Sequence, residues 1–189
     1  DNPDVPVVQM DSVIGNKSGK VLLTMFSQNT NLLLAFLRDH NTARSVLDVF
    51  NDLYAMFGRE TYCRLFPVIL TDRGSEFSNP VPIEQDENDE LRSLVFYCNP
   101  SAPYQKGGIE VAHELVRRVL PKGKSFDDLQ QEDIDLMLSH INSYKRGKLN
   151  SRSAYQLFNF IYGDDILPKL NIREIEANDI VLSPKLLKK

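Results

Sequence analysis

Three acidic residues stand where a carboxylate can do chemistry. Asp11 interrupts an apolar strand pattern, Val7-Val8-Gln9-Met10-Asp11-Ser12-Val13-Ile14, where an ionised side chain is costly to bury without a partner or a cation. Asp72 closes a second apolar run, Val68-Ile69-Leu70-Thr71-Asp72, and leads into Arg73-Gly74-Ser75-Glu76-Phe77. Glu110 falls in the first turn of a helical pattern that follows Gly107 and Gly108, residues that let a backbone approach its neighbour closely. If the two strands are parallel neighbours, both aspartates lie toward the carboxyl edge of a sheet, where open α/β sheets bind ligands, and a divalent cation could be shared between them. Read one at a time, the aspartates suit turn chemistry equally well. Glu110, Glu114 and Arg117 share one helical face, which also suits a solvated stripe carrying a Glu114 to Arg118 pair.

The elements that must position these groups follow from the hydrophobic periods. Val5 to Ile14, Lys20 to Ser27 and Asn31 to Arg38 alternate as strands. Gly15-Asn16-Lys17-Ser18-Gly19 and Gln28-Asn29-Thr30 between them have hairpin chemistry. Ala43, Val46, Leu47, Phe50, Leu53 and Phe57 recur at helical spacing, with Asn41 or Thr42 to cap the start and Gly58 placed to end the helix. Leu65 to Thr71 is a short strand reached through that helix, hence expected to run parallel to one in the meander; Pro67, which has no backbone donor, fits only near its start or on an edge. Residues 78–92 are acidic and read as a solvated loop, and Leu94 to Cys98 as a last strand. Helical patterns then cover about 106–119, 128–145 and 152–162, the last closed by Gly163. This order predicts an α/β, ribonuclease-H-like fold, a mixed five-stranded sheet of three antiparallel strands then two parallel ones, flanked by helices. Residues 1–163 form the core and 164–189 a tail whose Ile166, Leu170, Ile172, Ile175 and Val181 lie back on it.

Composition narrows the functional classes. With 189 residues, 42% apolar and 25% charged, the chain holds a real core and is no disordered, collagenous or disulfide scaffold. No apolar run reaches the roughly 20 residues of a membrane span, and no leader opens the chain. Cys63 and Cys98 lie far apart without clustered histidines, so zinc is not expected and a reducing, cytoplasmic setting is. A net charge of -4 argues against nucleic-acid binding by global charge alone.

Taken together, these stretches resemble the catalytic core of DDE transposases and integrases, specifically the insertion-sequence-thirty family. The resemblance rests on Gln9-Met10-Asp11-Ser12-Val13-Ile14-Gly15, on Leu70-Thr71-Asp72-Arg73-Gly74-Ser75-Glu76-Phe77, and on Pro103-Tyr104-Gln105-Lys106-Gly107 through Glu110. It continues through Leu120-Pro121-Lys122-Gly123 and from His140-Ile141-Asn142 to Tyr155-Gln156-Leu157-Phe158. The resemblance implies that Asp11, Asp72 and Glu110 bind metal and catalyse. Such enzymes carry a basic residue two helical turns after the glutamate, and Arg117 stands there relative to Glu110, whereas Pro121 does so for Glu114. The chain departs from the family's pattern at Tyr104, Val111 and His113, positions that bear on DNA contacts more than on metal.

The implied cofactor is Mg²⁺, with Mn²⁺ as substitute, two ions per site. The implied partner is DNA, both element ends and target, handled by a homodimer or higher assembly in a bacterial, nucleoid-associated setting and without a membrane. Basic residues concentrate accordingly: residues 105–152 carry nine Lys or Arg against seven Asp or Glu, a net of +2, while residues 1–104 carry eight against fourteen, a net of -6. The candidate DNA contacts are Lys106, Arg117, Arg118, Lys122, Lys124, Lys145, Arg146, Lys148 and Arg152, each of which also suits a solvated helix face. A separate helix-turn-helix module that reads element ends is expected to precede such a core; no such pattern lies in these residues. The alternatives to strand cleavage and transfer are a non-catalytic module for DNA binding or assembly, and a nuclease that cuts without joining.

Overall fold

The computed structural model describes residues 5–16, 19–99 and 103–187, apart from the side chains of Pro103 and Lys148. Lys17 and Ser18 of the expected first hairpin turn lie outside the described residues, as does the side chain of Lys148. The apolar alternation forms β1 (Val7–Ile14), β2 (Val21–Ser27) and β3 (Leu33–Arg38), an antiparallel meander. After the first helix, β4 (Val68–Thr71) pairs parallel with β1 and β5 (Leu94–Tyr97) parallel with β4, giving the order β3-β2-β1-β4-β5. The central strand therefore carries Asp11. Side chains alternate across a strand, so Gln9 and Asp11 on β1 share a face with their cross-strand partners Phe26 and Thr24, while Val8 and Met10 face the other way.

The face of Val8, Met25 and Leu34 is covered by α1 (Ala43–Leu65), whose Phe57 and Leu65 line a small cavity with them. Thr42 caps α1 by accepting the Ser45 amide. Gly58 does not end this helix. With φ 71° and ψ 165° it interrupts the helix, which then resumes to Leu65, the residue expected to begin the next strand. That backbone region is open essentially to glycine alone, and the buried Tyr62 and Leu65 beyond it supply the apolar contacts that draw the chain back into helix.

The acidic stretch 78–92 is also more ordered than its composition suggests. It contains α2 (Val81–Glu84) and a bridge between Gln85 and Leu91. Arg92, 3% exposed, organises it by donating to the carbonyls of Pro82 and Ile83 and to Asn51 Oδ1, with its guanidinium over the rings of Tyr54 and Tyr62. Asp86, rather than being solvated, accepts from the Tyr54 hydroxyl and pairs with Arg59.

On the opposite face lies α3 (Gly107–Val119), entered through one 3-10 turn, Pro103–Lys106. The remaining helices are α4 (Gln131–Ser143) and α5 (Ala154–Tyr162), the latter capped by Ser153 and closed by Gly163. The edge strand β3 is sealed by two side-chain amides of α4. Asn142 accepts the Leu33 amide and donates to the Leu33 carbonyl, while Gln131 accepts the Leu37 amide and donates to the Ala35 carbonyl. An open edge invites pairing with another chain, and here two amides stand in for the missing strand. The segment after α5 runs back along α4, where Ser139, Ser143 and the Nδ1 of His140 accept the amides of Arg173, Ile175 and Val181. Among the described residues no helix is long and apolar enough to cross a membrane.

Candidate metal centre

The β1–β4 register pairs Val8 with Ile69 and Gln9 with Leu70; continued along both strands, it sets Asp72 opposite Asp11. Each aspartate is held by its own backbone: Asp11 Oδ1 accepts the Ser12 amide at 2.8 Å and Asp72 Oδ1 accepts the Gly74 amide at 2.9 Å. Each thereby turns its Oδ2 toward a common point. Lys106 Nζ occupies that point, 3.3 Å from Asp11 Oδ2 and 3.1 Å from Asp72 Oδ2. The site thus already holds a cation between two carboxylate oxygens, and its all-oxygen donor set fits a hard divalent ion such as Mg²⁺ or Mn²⁺. The loop after Asp72 is propped by a polar relay in which Arg38 donates to Ser12 and Asn41, and Asn41 to Glu76. Arg38 is buried, and burial lowers its pKa to about 10 while Glu76 opposes the shift.

Helix α3 is registered on this site by Gln9, a buried side chain two residues before Asp11. Its Oε1 accepts the Ile109 amide at 2.7 Å and its Nε2 donates to the Gln105 carbonyl at 2.9 Å, clamping both sides of the turn into the helix. Gly108 makes this approach possible, since a Cβ there would meet Phe26 at 2.5 Å and Gln9 Oε1 at 3.0 Å. Further along, His113 Nε2 lies 2.8 Å from Thr24 Oγ1, whose hydroxyl donates to the Asp11 carbonyl. Because the single hydroxyl proton is committed there, His113 donates from Nε2. Burial pushes its pKa below the ordinary 6.5, against the pull of Asp11. One more turn on, Arg117 donates to the Ile14 carbonyl at the end of β1, and its other terminal nitrogen is buried without a partner among the described residues.

Lys106, Glu110, His113 and Arg117 follow at intervals of four, three and four and so share one helical stripe. Lys106 and His113 are both held beside Asp11; Glu110 stands between them in sequence, exposed. The structure therefore brings Asp11 and Asp72 together, and sets Glu110 one turn along from the lysine that bridges them. Among the described residues no three His, Cys, Asp or Glu side chains converge on one point. Glu114 is exposed and forms no ion pair with Arg118.

The basic candidates separate into two groups. Lys106 is not a surface residue: at 7% exposure its ammonium faces the carboxylates. Arg117 and Arg118 follow on α3, and exposed Lys122 and Lys124 lie on the segment packed against the β1–β2 turn, where a Cβ on Gly15 would strike the Lys124 carbonyl. Lys145, Arg146 and Arg152 lie elsewhere. They follow the last turn of α4, where Asn142 is bonded to Leu33 and is level with Gln9 through Phe26; α5 then reaches the β2–β3 turn, where Asn29 donates to the Tyr162 hydroxyl. That loop is at the other end of the sheet from Ile14. Within it, Arg146 keeps two buried nitrogens unpartnered among the described residues, and Arg152 lies over the exposed ring of Phe160. Cys63 and Cys98 are unpaired, and burial raises the Cys98 thiol pKa. Neither Gln9 nor Thr24 was legible as a site residue; the one available signal was a polar side chain on the inward face of an apolar strand.

The five-stranded mixed sheet, three antiparallel strands then two parallel ones flanked by helices, defines a ribonuclease-H-like fold. The chain matches the catalytic core domain of BIV integrase with a TM-score of 0.52 at 21% identity, covering 82% of this chain and 92% of that one. It is related in sequence to transposases and integrases of mobile elements. The ORF3 protein of Spiroplasma virus SpV1-R8A2 B, described as an integrase, is 28% identical over 151 residues, which is 80% of this chain and 45% of that protein. Transposase InsI of insertion sequence element IS30A from Escherichia coli strain K12 is 22% identical over 147 residues, 78% of this chain and 36% of that protein. The chain thus spans less than half the length of these relatives. No protein-family model matches it.

Proposed function

We propose that the chain is the catalytic core of a DDE transposase or integrase, a metal-dependent polynucleotidyl transferase that cuts DNA at an element's end and joins it to target DNA. The observation that carries this reading is the pair of Oδ2 atoms, from Asp11 and Asp72, turned on one cation position. Two divalent ions, when bound, would align a nucleophilic oxygen opposite its leaving oxygen and neutralise the transition state. Asp11, on the central strand, Asp72 and Glu110 would hold them; the backbone amides of Ser12 and Gly74 already fix the two aspartates, and Gln9 fixes the turn from which Glu110 projects. Arg117, half-buried beside the end of β1, suits a DNA phosphate by its position and charge. Lys122, Lys124 and Arg118 would extend that track, while Lys145, Arg146, Lys148 and Arg152 would serve a separate stretch of DNA. Action on two ends of one element calls for at least two copies of the chain.

One observation favours a second reading, a non-catalytic module: the lysine between the carboxylates would neutralise them permanently. The test incubates the protein with DNA carrying the two ends of its element and Mg²⁺ or Mn²⁺. Joined products are expected; nicks alone would indicate a nuclease, and no reaction the non-catalytic module. Asp11→Asn is expected to abolish cutting and joining together, and joining retained in that variant would remove the assignment.

A further inference from the structure

Lys106 is at odds with its surroundings unless something regularly takes its place. It occupies the N-cap position of α3, where the positive end of the helix dipole disfavours a cation. It is buried, and burying an ammonium is costly without close partners. The two Oδ2 atoms compensate both penalties, and they are the atoms a divalent ion would need. Buried charges are little screened by salt, so lysine and metal cannot share this point. The neighbouring geometry also gives the lysine somewhere to go. Beyond its chain neighbours and its own helix, nothing lies within 4 Å of where a Cβ on Gly107 would stand, whereas Gly108 abuts Gln9 and Phe26 and the Ile109 amide donates to Gln9. The helix can therefore stay registered on the sheet while the long, flexible lysine stem swings out.

We propose that Lys106 is an internal place-holder for the catalytic cation: its ammonium holds the Asp11–Asp72 pair in position without metal and must be displaced for a divalent ion to bind there. This rests on the assignment of Asp11 and Asp72 as metal ligands. The lysine lowers the site's apparent metal affinity and keeps the carboxylates from repelling one another when no ion is present. Once displaced, it carries its charge to the mouth of the site, where a DNA phosphate is the complementary anion.

The test titrates MnCl₂ alone into the protein by calorimetry, comparing wild type with Lys106→Met, Lys106→Gln, Asp11→Asn and Asp72→Asn, and measures urea unfolding of each in EDTA and in Mn²⁺. Removing the lysine is expected to tighten Mn²⁺ binding on the order of tenfold, and to lower the unfolding midpoint in EDTA with recovery in Mn²⁺. Both lysine variants are used so that a packing defect particular to one is recognised. Mn²⁺ binding that is unchanged or weaker in both, while the aspartate variants lose it, overturns the place-holder and leaves the metal site standing. Mn²⁺ binding that persists in both aspartate variants overturns the metal site itself, and the place-holder with it.

Discussion

Asp11 and Asp72 are each fixed by an amide of the following residues and aimed at one point, a preorganisation that leaves little rearrangement for a cation to induce. Gln9 belongs to the same apparatus although it touches no reacting group, because it holds the turn between Gln105 and Ile109. Replacing it by Met is expected to leave the Ile109 amide without its acceptor and to cost about 1–3 kcal/mol. Urea unfolding measures that cost, and metal-dependent joining should fall further than stability does, since Glu110 follows that turn. The aspartates were marked as candidates in the sequence by their places, Asp11 within an apolar run and Asp72 at the end of another, together with the motifs around them, although each alone suits a turn equally well. The roles of Gln9 and Lys106 were not legible: their partners lie across the fold on α3 and the strand ends, and a lone glutamine or lysine carries no local mark of what it will meet. Lys106 in particular reads as a surface base until the two Oδ2 atoms are seen on either side of it.

At the scale of elements, the antiparallel meander, the parallel strand after α1 and the helix that carries Glu110 follow from period and turn chemistry, while the second parallel pairing follows from the fold class that this order of elements predicts. The departures have local causes. Gly58 reads as a stop, yet the apolar side chains beyond it restart the helix, and the acidic 78–92 stretch is ordered by a buried arginine contributed from its own end. The sealing of β3 by Asn142 and Gln131 could not be read from periodicity at all, since both are ordinary polar residues of a helical pattern. Asn142→Leu is expected to uncap the Leu33 amide and carbonyl together, destabilising the protein by about 2 kcal/mol. Hydrogen exchange at the Leu33 amide should accelerate more than at Leu37, which Gln131 still holds; equal protection at Leu33 in the variant would argue against the cap.

Across the whole molecule, two histidines tie protonation to stability. Burial holds both His113 and His140 below the ordinary 6.5, so as pH falls the unfolded chain takes up these protons first and stability is lost from about pH 6.5 downward. Protonating His140 also removes the Nδ1 acceptor of the Val181 amide, loosening the segment that runs along α4. The thermal midpoint is therefore expected to hold above neutrality and to fall between about pH 6.5 and 5, less steeply in a His113→Gln, His140→Gln double variant; an unchanged slope would assign the fall to other groups. Asp135, held above 3.8 by burial, acts in the opposite sense as pH approaches its own titration. The net negative charge, puzzling for a chain proposed to act on DNA, is eased by the segregation of basic residues to the α3 side and to the α4–α5 loop, and by the cations the carboxylates would bind. The most direct test of that last point is anomalous scattering from a crystal soaked in MnCl₂. Manganese between the carboxylates of Asp11 and Asp72, with Glu110 turned in beside it and the Lys106 ammonium moved away, is the predicted result. An ordered site with Lys106 unmoved and no manganese on either aspartate would contradict it.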